Sequence, residues 1–186
     1  MKIIKFLLII FILLTHSIKA NSKELLIEAI KEGGKLIFIR HAYAPGSGDP
    51  ANFNIKDCST QRNLNQEGRD QSTAIGLSFK KHKILVENII SSQWCRCKET
   101  ALLAFGDKYK TNSFLNSFYE ERFSNNKENQ ILELKKYIDN WSGTKNLVFI
   151  THYVVISEVL NVYPSSGEIV ISDKNYNVIG NLNSAF

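Results

Sequence analysis

Three short runs of β-branched and other apolar residues stand out along the chain, each followed by a segment with helical spacing. Leu36-Ile37-Phe38-Ile39 lies in a predicted strand over residues 35–39. Ile89-Ile90 ends a second over 86–91, and Leu147-Val148-Phe149-Ile150 fills a third over 146–151. Runs this brief, apolar on both faces, are the mark of strands buried on both sides. Between them, apolar positions recur at helical intervals. Residues 22–31 place Leu25, Leu26, Ala29 and Ile30 inward and stop at Gly33-Gly34. Asn65 is placed to cap a helix reaching about residue 81, with Ile75 and Leu77 to Phe79 inside. Further helices are predicted over 98–105, closed by Gly106, over 128–141 on Ile131, Leu134 and Ile138, and over 154–162. A hairpin-like pair over 168–172 and 177–182 ends the chain. Strands alternating with helices predict an α/β fold, a three-layer α/β/α sandwich with a mostly parallel sheet. Residues 43–63, rich in Gly, Pro, Asp, Asn and Ser, and the aromatic stretch 107–127 read as long loops.

The N-terminus follows a different pattern. A basic start (Lys2, Lys5) leads into the apolar run Phe6 to Leu14 and then to Ala20, the layout of a signal peptide over residues 1–20. This implies a mature domain over 21–186, exported to the periplasm or secreted. Ile18 is not the small residue a cleavage site prefers, so an uncleaved N-terminal membrane anchor is the alternative. The formal charge of +5 falls to +2 once Lys2, Lys5 and Lys19 leave with the leader. No dense basic face remains to bind nucleic acid, and the arginines are better used in a local pocket for an anion. The composition, 44% hydrophobic and 22% charged, is that of an ordinary globular protein.

Export permits a disulfide among Cys58, Cys95 and Cys97. Cys95 and Cys97 are too close to bridge each other, so Cys58 is expected to pair with one of them, Cys95 being preferred. C-x-C with one distant cysteine is a poor match to zinc spacing.

The candidate chemistry sits just past the strands. The first delivers Arg40-His41, the third Thr151-His152, and the second leads within a few residues to Arg96. In open α/β sheets, ligands bind beyond the carboxyl ends of the strands, so two imidazoles and two guanidiniums are expected in one crevice. Arginine offers a planar fork of donors to a phosphate, and a neutral imidazole can act as a nucleophile. Isolated His82, in Lys80-Lys81-His82-Lys83, reads as a solvated helix end.

Four segments in this order resemble the histidine phosphatase superfamily, also called phosphoglycerate mutase-like. They are Arg40-His41-Ala42, Leu64-Asn65-Gln66-Glu67-Gly68-Arg69-Asp70-Gln71, the stretch Ser91-Ser92-Gln93-Trp94-Cys95-Arg96-Cys97-Lys98-Glu99-Thr100-Ala101, and Thr151-His152. Ala42 stands where that family has glycine, and Cys97 where it usually has alanine. The resemblance implies a phosphohistidine formed on His41, with Arg40, Arg96 and His152 in the phosphate pocket and Arg62 a further candidate at the end of the long loop. It implies a metal-independent phosphomonoester hydrolase without cofactors, acting on a small organic phosphate such as a sugar phosphate. The alternatives are a catalytically idle anion-binding module of the same fold and a phosphomutase. The proton donor is open among Glu120 and Glu121, in the aromatic loop, and Glu168.

Overall fold

The structure, a computed structural model, describes residues 22–186; the expected leader over 1–20 lies outside the described residues. Helix α1 covers residues 22–32 and leads into strand β1, Leu36–Arg40. Helix α2 spans Gln66–Lys81, β2 Val86–Ser91 and α3 Cys95–Phe105. Strand β3 is Tyr109–Thr111, followed by a short α4, Glu121–Ser124, and by α5, Lys127–Asp139. Strand β4 is Asn146–Thr151, α6 Tyr153–Leu160, β5 Ile169–Ser172 and β6 Val178–Leu182.

The strands form a six-stranded sheet in the order β3-β2-β4-β1-β5-β6. Strands β3, β2, β4 and β1 run parallel, β5 is antiparallel to both of its neighbours β1 and β6, and the sheet is therefore mixed with a single reversed strand. Side chains alternate across a strand, which divides β1 between two cores. Ile37 and Ile39 join Leu26, Ile27 and Ile30 of α1, Ile75 and Phe79 of α2 and Ala101 of α3 on one face. Leu36 and Phe38 join Leu134 and Ile138 of α5 and Val155, Ile156 and Leu160 of α6 on the other. The expected three layers follow.

Several details differ from the sequence-based expectation. Leu25 and Leu77 are exposed (64% and 63%), and Ile27 faces inward instead of Leu25. In α2 the inward stripe runs Gly68, Ser72, Ile75, Phe79, and Leu77 lies on the opposite side of the helix. Helix α3 begins three residues earlier than predicted, which puts Cys95, Arg96 and Cys97 in its first turn. Within 107–127 the chain adds edge strand β3 and helix α4 where only loop was expected. Tyr-Lys-Thr has no apolar run to signal a strand; pairing with β2 makes it one.

The structure gives the Leu64-to-Gln71 segment two distinct jobs. Asn65 caps α2 by accepting from Gly68 N (2.9 Å). Gly68 lies so close to the loop that a Cβ there would sit 2.1 Å from the Tyr43 carbonyl oxygen. Gln71 then holds two segments together, accepting from Tyr43 N (2.9 Å) and donating to the Ser166 carbonyl (2.7 Å). The first contact fixes the loop that leaves β1, where the candidate site begins, and the second ties it to the turn before β5.

Candidate active site

The parallel registers bring the functional segments side by side. Arg40 pairs with Thr151 across β1 and β4, and Ser91 with Ile150 across β2 and β4. The chain continuing past these strand ends stays linked, His41 N donating to Thr151 O (2.8 Å) and Ser92 N to Ile150 O (2.9 Å). His41, His152 and Arg96 are therefore buried together (3%, 2% and 3% exposed), with the two imidazole centroids 5.3 Å apart. Helices α3 and α6 both start at this edge, so their positive N-terminal ends add to a field that favours an anion.

The protonation of His41 follows from its partners. Its Nδ1 lies 2.8 Å from the Ala42 carbonyl, which can only accept, so Nδ1 carries the proton and Nε2 presents its lone pair. Arg96 Nε donates to that lone pair at 3.2 Å. Burial, and after it the Arg96 guanidinium, hold the pKa of both His41 and His152 well below 6.5, so both rings are neutral near pH 7. On the other side of the pocket, Ser92 Oγ donates to Asn116 Oδ1 (3.1 Å) and lies 3.0 Å from His152 Nε2. The Cys97 thiol is 3.5 Å from the same nitrogen, and burial pushes its pKa up to about 12, which leaves it an uncharged packing group.

Arg96 has a partner that sequence reasoning missed. Its Nη1 donates to Asp49 Oδ1 (2.9 Å) and its Nη2 to Asp49 Oδ2 (3.1 Å), with both side chains almost fully buried. The Asp49 carboxylate also accepts from Trp94 Nε1 (3.0 Å) and Arg62 N (2.9 Å). These bonds hold its pKa below the usual carboxylate value against the opposing effect of burial. Asp49 sits in Gly46-Ser47-Gly48-Asp49-Pro50, where Gly46 and Gly48 adopt positive φ of 90° and 66°. The only sequence signal was this turn-rich composition, which marks a loop but not a ligand for arginine.

Arg62 belongs to the same loop. Its Nε donates to the Gly48 carbonyl (2.9 Å) and its Nη1 to that of Ala44, so it braces the segment carrying Asp49. Arg40 donates through Nη1 to the Pro164 carbonyl (2.8 Å) and lies over the Tyr153 ring, while its buried Nε has no partner among the described residues. Cys58 and Cys95 form a disulfide with Cα atoms 5.6 Å apart, which ties the loop to the first turn of α3 one residue before Arg96. Gln61 strengthens the join by accepting from Cys95 N (2.9 Å). Ala42 fits without strain, its N–H donating to Thr100 Oγ1 (3.1 Å).

The three candidate carboxyls end in different places. Glu120 accepts from Asp49 N (2.8 Å) and pairs with Arg122 (2.6 Å), which puts it behind the loop that covers Arg96. Glu121 is exposed in α4 and makes no side-chain bond among the described residues. Glu168 accepts from Ser165 N (2.7 Å) and from Asn181, holding the turn beside Arg40. Three guanidiniums, one carboxylate and two neutral imidazoles leave this crevice with a net charge of +2.

No protein-family model matches the sequence, and comparison with curated proteins returned no relative. Solved structures do match. The protein histidine phosphatase SixA, complexed with tungstate, superposes with a TM-score of 0.56 at 15% identity, over 81% of this chain and 97% of that one. TTHB049 from Thermus thermophilus gives 0.56 at 14%, over 80% and 99%. The mycobacterial glucosyl-3-phosphoglycerate phosphatase Rv2419c, complexed with VO3, gives 0.53 at 13%, over 74% and 91%. At these identities the likeness is one of architecture alone, and it agrees with the sheet order and the strand-end crevice: this chain has the phosphoglycerate mutase-like fold.

Proposed function

We propose that the protein is a phosphomonoester hydrolase that works through a phosphohistidine on His41. The observation that carries this reading is the buried His41 ring, neutral and with its Nε2 lone pair free of a proton, set among three guanidiniums. In the first half-reaction, Nε2 gives up its hydrogen bond from Arg96 Nε and attacks phosphorus, the bond from phosphorus to the leaving oxygen breaks, and that oxygen takes a proton from solvent. Charge then spreads over the equatorial oxygens, where Arg40, Arg62 and Arg96 offset it without a divalent ion. In the second half, water attacks the phosphohistidine and releases phosphate with neutral His41. The proton that water loses passes to solvent and replaces the one the leaving oxygen took up, while Glu120, bound to Asp49 N and Arg122, holds the loop that covers Arg96. The net charge of +2 complements a phosphomonoester dianion. The substrate is a small organic phosphate, and the neighbouring SixA and Rv2419c structures, which hold tungstate and VO3, support a pocket of that kind. The disulfide fits a non-reducing compartment, and with the N-terminal pattern it supports export to the periplasm or secretion.

The test is phosphate release from a panel of phosphomonoesters, with EDTA present and His41→Ala alongside. Turnover that ignores EDTA and disappears in His41→Ala, with an acid-labile phosphoenzyme trapped only in the wild type, is the expected result. Equal activity in both proteins would sink the reading. One observation favours the idle anion-binding module instead: Glu120 and Glu168 are engaged in holding loops and Glu121 is exposed, so none of the three is bonded to the His41 or His152 ring. That module binds phosphate or vanadate but turns over no substrate in the panel.

A further inference from the structure

Behind His152 runs a chain of buried polar groups that the reaction steps above do not touch. Burial, and after it the Arg96 guanidinium, keep the His152 ring neutral, so it carries one ring proton and has two nitrogens to hold it. Its Nε2 lies 3.0 Å from Ser92 Oγ, and the two residues are shut off from water (2% and 0% exposed). In that setting the protein's own donors and acceptors decide where the proton sits.

The far end of the chain sets its direction. Asn116 Oδ1 accepts from the Gln93 backbone N–H (2.9 Å), and since that group can only donate, the atom facing it is the amide oxygen. The amide nitrogen turns the other way and donates to Gln93 Oε1 (2.8 Å). Gln130 Nε2 holds the Asn116 backbone by donating to its carbonyl (2.8 Å). Ser92 Oγ lies 3.1 Å from this fixed acceptor, so its single proton goes there. The Trp94 backbone N–H, at 3.3 Å, takes one lone pair of Oγ. The lone pair that remains faces His152 Nε2, which makes Nε2 the protonated nitrogen. With a bare Nε2, the one hydroxyl proton would serve two acceptors and leave a buried one unpaired. The Cys97 thiol, 3.5 Å from Nε2, is a weak partner in either role.

His41 has the opposite arrangement, with its proton on Nδ1 and its lone pair on Nε2. The two imidazoles, 5.3 Å apart, therefore differ in which nitrogen is bare. We propose that Asn116 is a positioning residue that, through Ser92, locks the His152 proton on Nε2, so that His41 alone offers an Nε2 lone pair to phosphorus. Asn116 lies within 107–127, outside all four of the segments that resemble the superfamily. A ring dipole fixed in advance needs no reorganisation as charge develops on the phosphoryl group. This kinetic consequence rests on the phosphatase reading above, whereas the tautomer stands on the hydrogen bonds alone.

The test begins with long-range proton–nitrogen NMR spectra of the full chain, labelled at histidine, which tell a protonated ring nitrogen from a bare one. Wild-type His152 is expected to carry its proton on Nε2 and His41 on Nδ1, an arm that needs no variant. In Asn116→Ala, His152 should divide between the two tautomers. Asn116→Asp keeps an acceptor facing Ser92 while losing the amide donor to Gln93, and it should retain the wild-type pattern. A wild-type His152 protonated on Nδ1, an Asn116→Ala spectrum unchanged at His152, or the same change in Asn116→Asp overturns the proposal. Kinetics with an aryl phosphate give the second readout. Asn116→Ala is expected to lower kcat by about fivefold, the worth of one neutral hydrogen bond, with KM unchanged, and Asn116→Asp to restore it. A change confined to KM, or an equal loss in both variants, marks Asn116 as a loop fastener only and overturns the proposal. If the wild type turns over no phosphate ester, the phosphatase reading fails, and the spectra still decide the tautomer.

Discussion

Single residues set the electrostatics of this site. A protonated imidazole has no lone pair, so an ordinary histidine nucleophile loses half its activity near pH 6.5. Burial and the neighbouring guanidinium depress the pKa of His41 well below 6.5, so its neutral form persists as the pH falls. We expect kcat/KM for an aryl phosphate, corrected for substrate ionisation, to hold through pH 6.5 and to decline only well below it. A midpoint near the ordinary histidine value would contradict the structure. Asp49 sets the second residue-scale prediction. Its ion pair with Arg96 is buried, with side chains 2% and 4% exposed, and removing the charge leaves the guanidinium uncompensated. Asp49→Asn is expected to lower stability by about 3 kcal/mol, a fall in Tm of roughly 6–12 °C. Because phosphate then meets no competing carboxylate on Arg96, phosphate binding should tighten, and added phosphate should recover part of the lost Tm. A calorimetric titration alongside thermal melts reads both effects.

At the scale of elements, close backbone approach explains glycines that helix propensity would disfavour. Gly76 lies in the interior of α2, where alanine normally adds about 1 kcal/mol of stability. Here a Cβ would sit 2.2 Å from the Ala104 carbonyl of α3, so the two helices must separate to admit it. Overpacking of this kind costs about 1–3 kcal/mol. Gly76→Ala should therefore lower the urea midpoint with an unchanged m-value, and an increase would show that α2 and α3 are further apart than described. The helices themselves were largely legible. Asn65 announced the start of α2, and Leu134 with Ile138 marked the inner face of α5. The first turn of α3 was not, because Trp94-Cys95-Arg96-Cys97 carries no capping side chain, and its start is secured by Gln61 from a distant loop.

Across the whole molecule, the loop over residues 43–63 is tied down by the Cys58–Cys95 disulfide, the Arg62 bonds to its carbonyls, and the Asp49 clamp on Arg96. The disulfide closes a sequence separation of 37 residues. In the chain-entropy view it contributes about 4 kcal/mol. Replacing Cys58 and Cys95 together by serine should lower Tm by roughly 8–16 °C, while a wild-type Tm unmoved by reductant would show the bridge carries no stability. The loss should also weaken phosphate binding, since the Arg62 guanidinium is positioned by the same loop.

The sequence by itself determined which segments become the central strands and helices, and it placed Arg40, His41, Arg96 and His152 at one edge of the sheet. Those features are local: apolar runs, helical spacing, and residues directly following a strand all lie within a few positions of one another. Only the tertiary structure decided that Asp49 holds Arg96 and that Tyr109–Thr111 is a strand. Asp49 and Arg96 are 47 positions apart, and neither lies in a periodic pattern that could relate them. Such pairings arise when packed layers bring unrelated loops to the same strand ends, which no window of local sequence contains.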